Sequence, residues 1–260
     1  MAVSIAVTSG KGGVGKTNSA VNLALALGKT GKRVLLFDAD FGLANTHIIL
    51  GCQPAKTVAD FLNGVASLED TITDVGENVQ LIAGGSGLVE LLKIDDTARY
   101  RIVTALSNLQ DKIDYMIVDC PAGASNSTLF FANAANIVLV VLVAEPTSFL
   151  DAYALVKAAH LDKGVTDFSV LINMAENAKT AKINFSKFRD IAMRFLDLKL
   201  HYAGSIPQST AIRRSIVQRK PICAGETDTA LAKTFGSIAK DLATAPHSRH
   251  DAVKFFNGGN

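Results

Sequence analysis

Eight residues near the start of the chain, Gly10-Lys11-Gly12-Gly13-Val14-Gly15-Lys16-Thr17, have the types and spacing to hold a phosphate. They fit the pattern GxxxxGK[ST], follow a short apolar run and open a helical one, which is the context such a loop needs. Glycine lets backbone N–H groups turn inward around phosphate oxygens. The helix that begins near Lys16 adds the positive end of its dipole. Lys16 is then placed to reach the β- and γ-phosphates of ATP, or the β-phosphate of ADP, and Thr17 to offer its hydroxyl to Mg²⁺. Val14 and Asn18 complete the stretch expected to line the nucleotide.

Two acidic segments follow. Phe37-Asp38-Ala39-Asp40 and Ile117-Val118-Asp119-Cys120-Pro121-Ala122-Gly123 each end an apolar run. In open α/β sheets the carboxyl ends of strands border the ligand crevice. Asp38 and Asp40 there can organise Mg²⁺ and a water. Asp119 suits the outer shell of the ion. Gly123 has no side chain to block the approach of its N–H to a γ-phosphate. Loss of that phosphate would release the loop, which makes it a switch.

The elements that must position these groups are legible as alternation. Apolar runs at Ser4–Thr8, Arg33–Phe37, Val79–Ala83, Tyr115–Asp119, Ile137–Val143, Ser169–Asn173 and Tyr202–Ile206 are rich in Val, Ile and Leu at consecutive positions. That pattern suits strands buried on both faces of a mostly parallel sheet. Helical periodicity lies between them at Lys16–Lys29, Thr97–Leu109, Thr147–His160, Ile183–Leu196 and Asp228–Leu242. The sum predicts a doubly wound α/β fold with helices on both faces. One domain is expected over residues 1–244, with a tail over 245–260.

Bulk properties narrow the function. Of 260 residues 48% are hydrophobic and 19% charged, which allows a large core. A net charge of +2 is too small for a whole-molecule field directed at nucleic acid. Cys52, Cys120 and Cys223 form no CxxC pair and no metal-ligand spacing, so a reducing cytosol fits. No basic n-region precedes the first strand. The longest apolar run, Ile137–Ala144, falls far short of the roughly 20 residues of a membrane span. A cytoplasmic location is expected.

Lys11 is the residue that the basic loop pattern does not require. The string KGGVGKT resembles the signature of the deviant P-loop ATPases, the family that includes MinD, ParA, the nitrogenase iron protein and FlhG. The resemblance covers about residues 2 to 243. It implies that Lys11 crosses a dimer interface to the partner's nucleotide, that Asp40 positions or polarises the attacking water, and that Asp38 supports the metal region. It also implies adenine contacts from Asn173 and from Ile206, Pro207 and Gln208. Asp38-Ala39-Asp40-Phe41-Gly42-Leu43-Ala44-Asn45 and Glu145-Pro146-Thr147-Ser148-Phe149-Leu150-Asp151-Ala152-Tyr153-Ala154-Leu155 are similar to FlhG (also called FleN or YlxH), the MinD-like regulator of flagellar number and placement. Leu171-Ile172-Asn173-Met174-Ala175 and Arg194-Phe195-Leu196-Asp197 agree as well.

That branch implies a slow, partner-stimulated ATPase that dimerises with ATP. Its implied partners are flagellar: the FlhF GTPase, switch-complex proteins or a flagellar transcription regulator. FlhG proteins often carry a DQAxxLR motif that stimulates FlhF. The present sequence has no such motif, so any stimulation of FlhF needs another surface. MinD and many FlhG proteins end in an amphipathic membrane helix. Val253, Lys254, Phe255 and Phe256 are expected to form one here, with Arg249 and Lys254 toward anionic headgroups. The chain would then associate reversibly with the inner face of the cell membrane. A ParA-like DNA-partitioning reading stays open on Arg213, Arg214, Arg219 and Lys220, although DNA is not the expected partner. A nucleotide-sensing scaffold with little hydrolysis also stays open. The cluster cysteines that an iron–sulfur reductase needs are missing.

Overall fold

The computed structural model describes residues 2–42, 44–85, 94–226, 228–245 and 254–256. Among the described residues eight strands form one sheet: β1 (Val3–Ser9), β2 (Val34–Asp38), β3 (Ile72–Asp74), β4 (Val79–Ile82), β5 (Tyr115–Ala122), β6 (Ile137–Val143), β7 (Asp167–Ala175) and β8 (Lys199–Pro207). Their spatial order is β3-β4-β2-β5-β1-β6-β7-β8. All pairings are parallel except β3 against β4. The helices are α1 (Lys16–Gly28), α2 (Thr46–Leu50), α3 (Val58–Leu62), α4 (Asp96–Ser107), α5 (Asn126–Ala134), α6 (Pro146–Lys163), α7 (Ala178–Phe195), α8 (Thr210–Val217) and α9 (Ala230–Ala243).

The sheet separates two hydrophobic cores, as the doubly wound reading requires. Strand alternation divides each strand between them. Ala6, Leu35, Phe37 and Val118 face a core shared with α4, α5, α6 and α7, which contribute Ile102, Phe131, Val156 and Phe188. Ile5, Val7, Leu36 and Ile117 face the other, shared with α1 and α9 through Leu23, Phe235 and Ile238. Side-chain caps start several helices: Asp95 accepts from the Ala98 N–H, Ser125 from Thr128, Asn177 from Thr180 and Thr229 from Ala232. Each cap satisfies a donor that the first helical turn leaves open.

All seven expected strands and all five expected helices are present, with ends shifted by a few residues. The antiparallel edge strand β3 and the short helices α2, α3, α5 and α8 were not expected. Among the described residues, no helix is long and apolar enough to cross a membrane.

The end of the chain departs from expectation. Lys254, Phe255 and Phe256 are not helical, and both phenylalanines lie in the core at 0% and 1% exposure. The Phe255 ring stacks on Phe131 with centroids 6.1 Å apart and planes 7° from parallel. The Phe255 N–H donates to the Ala134 carbonyl at 3.0 Å. Lys254 Nζ donates to the carbonyls of Asn133 and Ala135 at 2.8 and 3.1 Å. These are open acceptors at the C-terminal end of α5, where a cation is favoured. Burial pushes the Lys254 pKa down to about 8. An exposed lipid-facing arrangement of Lys254, Phe255 and Phe256 is therefore not what this structure holds. The physical reason is that two adjacent aromatic rings gain more from a dry protein groove than from water. Val253 and Arg249 lie outside the described residues.

Candidate nucleotide-binding site

β1 delivers the loop of residues 10–15 to the start of α1. Gly13 and Gly15 have φ of +81° and +83°, in the left-handed region that favours glycine. A side chain on Gly15 would strike the Asn173 amide, and one on Gly10 the backbone of Asp151. The loop is thus held closely between β7 and α6. Asn173, at the end of β7, donates from Nδ2 to the Val14 carbonyl at 2.7 Å. Met174, next in the chain, has φ +52°, a strained value for a side-chain-bearing residue.

Lys16 is 7% exposed, and its Nζ lies 2.5 Å from Asp119 Oδ1, itself 1% exposed. Burial works against the lysine's charge, but the Asp119 carboxylate more than offsets it, so the Lys16 pKa is raised. Burial likewise raises the Asp119 pKa, while the Lys16 ammonium opposes the rise. Thr17 Oγ1 is 3.4 Å from Lys16 Nζ. Asp38 pairs in register with Asp119 across β2 and β5. Its pKa is pushed up to about 7, by burial first and by the Asp119 charge second.

Asp38 also organises the segment that follows it. Its Oδ1 accepts from the Asp40 N–H at 3.1 Å. Its Oδ2 accepts from the N–H groups of Asn45 and Thr46, each at 3.1 Å, and from the Thr46 hydroxyl at 2.7 Å. Asp40 is thereby carried on a loop anchored by the Asp38 carboxylate.

Two placements differ from expectation. The Gly123 N–H, expected to face a γ-phosphate, donates to the Ser9 carbonyl at 2.8 Å. Its φ of +81° accounts for glycine at that position. Ile206 is 1% exposed in the core beside α9 and does not line the cleft, because β8 alternation turns it inward. The cleft, about 340 Å³, is instead bordered by Gly15, Asn18, Asn173, Pro207 and Gln208, together with Ile212, Arg213 and Ile216 of α8. Sequence reading missed α8, whose signal would have been its apolar positions Ile212 and Ile216, four apart. Lys11 sits outside this cradle. Its Nζ contacts Glu145 Oε2 at 2.6 Å and the Thr147 hydroxyl at 3.1 Å.

Residues 2–163 match the AAA domain family. The antiactivator FleN of Pseudomonas aeruginosa is 38% identical over 93% of this chain and 86% of its own. This chain belongs to the MinD/ParA family of P-loop ATPases, with the FlhG proteins. The flagellum site-determining protein YlxH of Helicobacter pylori is 36% identical over 83% of this chain and 73% of its own. Among solved structures, MinD in the MinC:MinD cell division complex of Aquifex aeolicus superposes with a TM-score of 0.77 at 27% identity, over 96% of this chain and all of that one.

The donor set fits the ligands this family takes. A glycine cradle, a buried lysine and a helix start suit polyphosphate. Thr17, Asp38 and Asp119 offer only oxygen, which suits Mg²⁺. Among the described residues no three His, Cys, Asp or Glu side chains cluster to hold a metal by themselves, so the ion would share its coordination with phosphate.

Proposed function

We propose that this chain is an ATP-hydrolysing dimerisation switch that acts on flagellar number or placement at the cytoplasmic membrane surface. The single observation that carries the reading is the division of labour between two lysines. Lys16 fills the chain's own phosphate cradle, paired with Asp119. Lys11 is turned out of that cradle and held by Glu145 and Thr147. That orientation supports a role for Lys11 at a nucleotide held by a second copy. The Lys11–Glu145 pair is 30% and 60% exposed, so it is weak enough to exchange.

An arriving triphosphate gives Lys16 a second anionic partner, and Asp119 is then released toward the metal region. Mg²⁺, when bound near Thr17, Asp38 and Asp119, supplies charge stabilisation for the transferring phosphoryl group. Lys16 and the loop N–H groups stabilise the same charge. Asp40 orients the water. Gly123 exchanges its Ser9 carbonyl for the γ-phosphate, and loss of that phosphate returns the loop to Ser9.

The flagellar assignment is supported by the relatives: FleN is an antiactivator and YlxH determines flagellar site. Flagellar partners of this chain are inferred on the same ground. Membrane binding through Val253, Lys254, Phe255 and Phe256 needs the phenylalanines to leave their groove, so it belongs to the ATP dimer, where two tails act together.

Asp40→Ala is expected to lower phosphate release about 100-fold while prolonging the ATP dimer, read by sedimentation velocity. Hydrolysis within twofold of the parent would sink the assigned role. In a second experiment, the full chain is spun with anionic liposomes or with DNA, each with ATP or ADP. Liposome binding with ATP alone supports the membrane switch. ATP-dependent DNA binding without lipid binding would transfer the chain to the ParA-like reading through Arg213, Arg214, Arg219 and Lys220, of which the three arginines and the lysine are all exposed.

A further inference from the structure

Asn22 lies on α1 one turn beyond Asn18 and is fully buried. Its sequence neighbours Val21 and Leu23 are apolar core residues. An amide at such a position is costly unless paired, and here it is paired three times. Asn22 Nδ2 donates to the Asn18 carbonyl at 2.8 Å and to Asn18 Oδ1 at 3.1 Å. Asn22 Oδ1 accepts from the Cys223 N–H at 2.9 Å.

The polarity of this relay is set by the backbone. The Cys223 N–H can only donate and the Asn18 carbonyl can only accept, so the Asn22 amide has one orientation. Its Nδ2 then meets Asn18, which must present its oxygen to Asn22. The Asn18 Nδ2 is left on the other side of that amide, and Asn18 borders the cleft described above. A pure donor suits a ligand rich in acceptors. Phosphate oxygens and the N1, N3 and N7 atoms of adenine are all acceptors.

We propose that Asn22 is a positioning residue for nucleotide binding. It fixes Asn18 with its N–H outward and ties it to the turn at Ile222–Ala224. That turn packs against α8, which forms the far wall of the cleft. The relay thus links the phosphate-loop helix to the far wall of the cleft. This inference rests on reading the cleft as the nucleotide site.

The test is a double-mutant cycle on ATP affinity, measured by calorimetry, with Asn18→Ala, Asn22→Leu and the pair. Asn22→Leu keeps the volume and removes the amide. Each single change is expected to weaken ATP binding about tenfold, the size of one or two hydrogen bonds. The pair should bind no more weakly than Asn18→Ala alone, since Asn22 acts through Asn18. KM for ATP should follow the same non-additive pattern. Asn22→Ala serves the same cycle if Asn22→Leu does not fold. Unchanged affinity in the Asn22 variant, or two losses that multiply, would overturn the proposal. A parent protein that binds no ATP would instead overturn the nucleotide reading itself, so the two failures are distinct.

Discussion

Lys16→Ala is expected to abolish measurable ATP hydrolysis and to leave a protein whose stability falls as pH rises. The catalytic loss follows from removing a preorganised cation from the developing phosphoryl charge, worth about 100- to 1,000-fold or more. The stability effect follows from Asp119. In the parent chain Lys16 Nζ lies 2.5 Å from Asp119 Oδ1, and both groups are buried. Removing one partner strands the other charge, which costs about 3–5 kcal/mol. Asp119 already has a pKa raised from 3.8 by burial, and loss of the ammonium raises it further. The folded state then keeps a proton that the unfolded state has given up. Its extra stability is present at low pH and is lost as pH rises through the folded pKa.

Asp119→Asn should show the opposite slope. It leaves Lys16 buried with its principal counter-charge gone, so burial depresses the lysine pKa below 10.5. The folded state then binds fewer protons than the unfolded one, and stability rises with pH toward that value. Urea unfolding of both variants between pH 5 and pH 9 measures the two slopes. Parallel slopes would contradict the buried pair. Asp38 adds a background that is smaller in Asp119→Asn, because the Asp119 charge is part of what raises its pKa. Its pKa of about 7 against 3.8 makes stability fall between those values in the parent as well.

The second large effect is at the end of the chain. Phe255→Ala and Phe256→Ala are each expected to lower stability by about 3 kcal/mol, the lower end of the range for a buried phenylalanine. Phe255 loses its stack on Phe131, and Phe256 loses a fully dry site. The double variant should cost clearly less than the sum. Once the tail lets go of its groove, no further contact can be lost, so the plateau equals the free energy of docking the tail. Urea midpoints of the two singles and the double read that plateau. Full additivity would mean that the tail is an integral part of the core, and lipid binding through these rings would then require unfolding.

The same tail shows where sequence reading ran out. Val253, Lys254, Phe255 and Phe256 look amphipathic as a string, and a string carries no information about a groove beside Phe131, more than 120 residues away. Long, uniformly apolar strands such as Ile137–Val143 were legible because burial on both faces leaves a continuous signal. Helix α5, nine residues long and separated from β6 by only two residues, was not. Its period is too short to stand out from the strand that follows. The edge strand β3 has three residues and draws its stability from pairing with β4, which no local pattern records.

The sequence by itself determined the chemistry of the site. A run of glycines, a lysine and a threonine between an apolar strand and a helix leaves few physical alternatives to a phosphate cradle, because each residue type is needed at its own spacing. It also determined the sheet, through consecutive buried positions, and the acids at the strand ends. Only the tertiary structure decided who partners whom. Lys16 meets Asp119, 103 residues on, while Lys11 turns away to Glu145. The Gly123 N–H meets Ser9, Asn22 reaches Cys223, and Phe255 reaches Phe131. The reason is range. Spacing and periodicity report on a few turns of chain, whereas charge pairing, amide polarity and the burial of a ring depend on groups that meet only once the sheet has assembled.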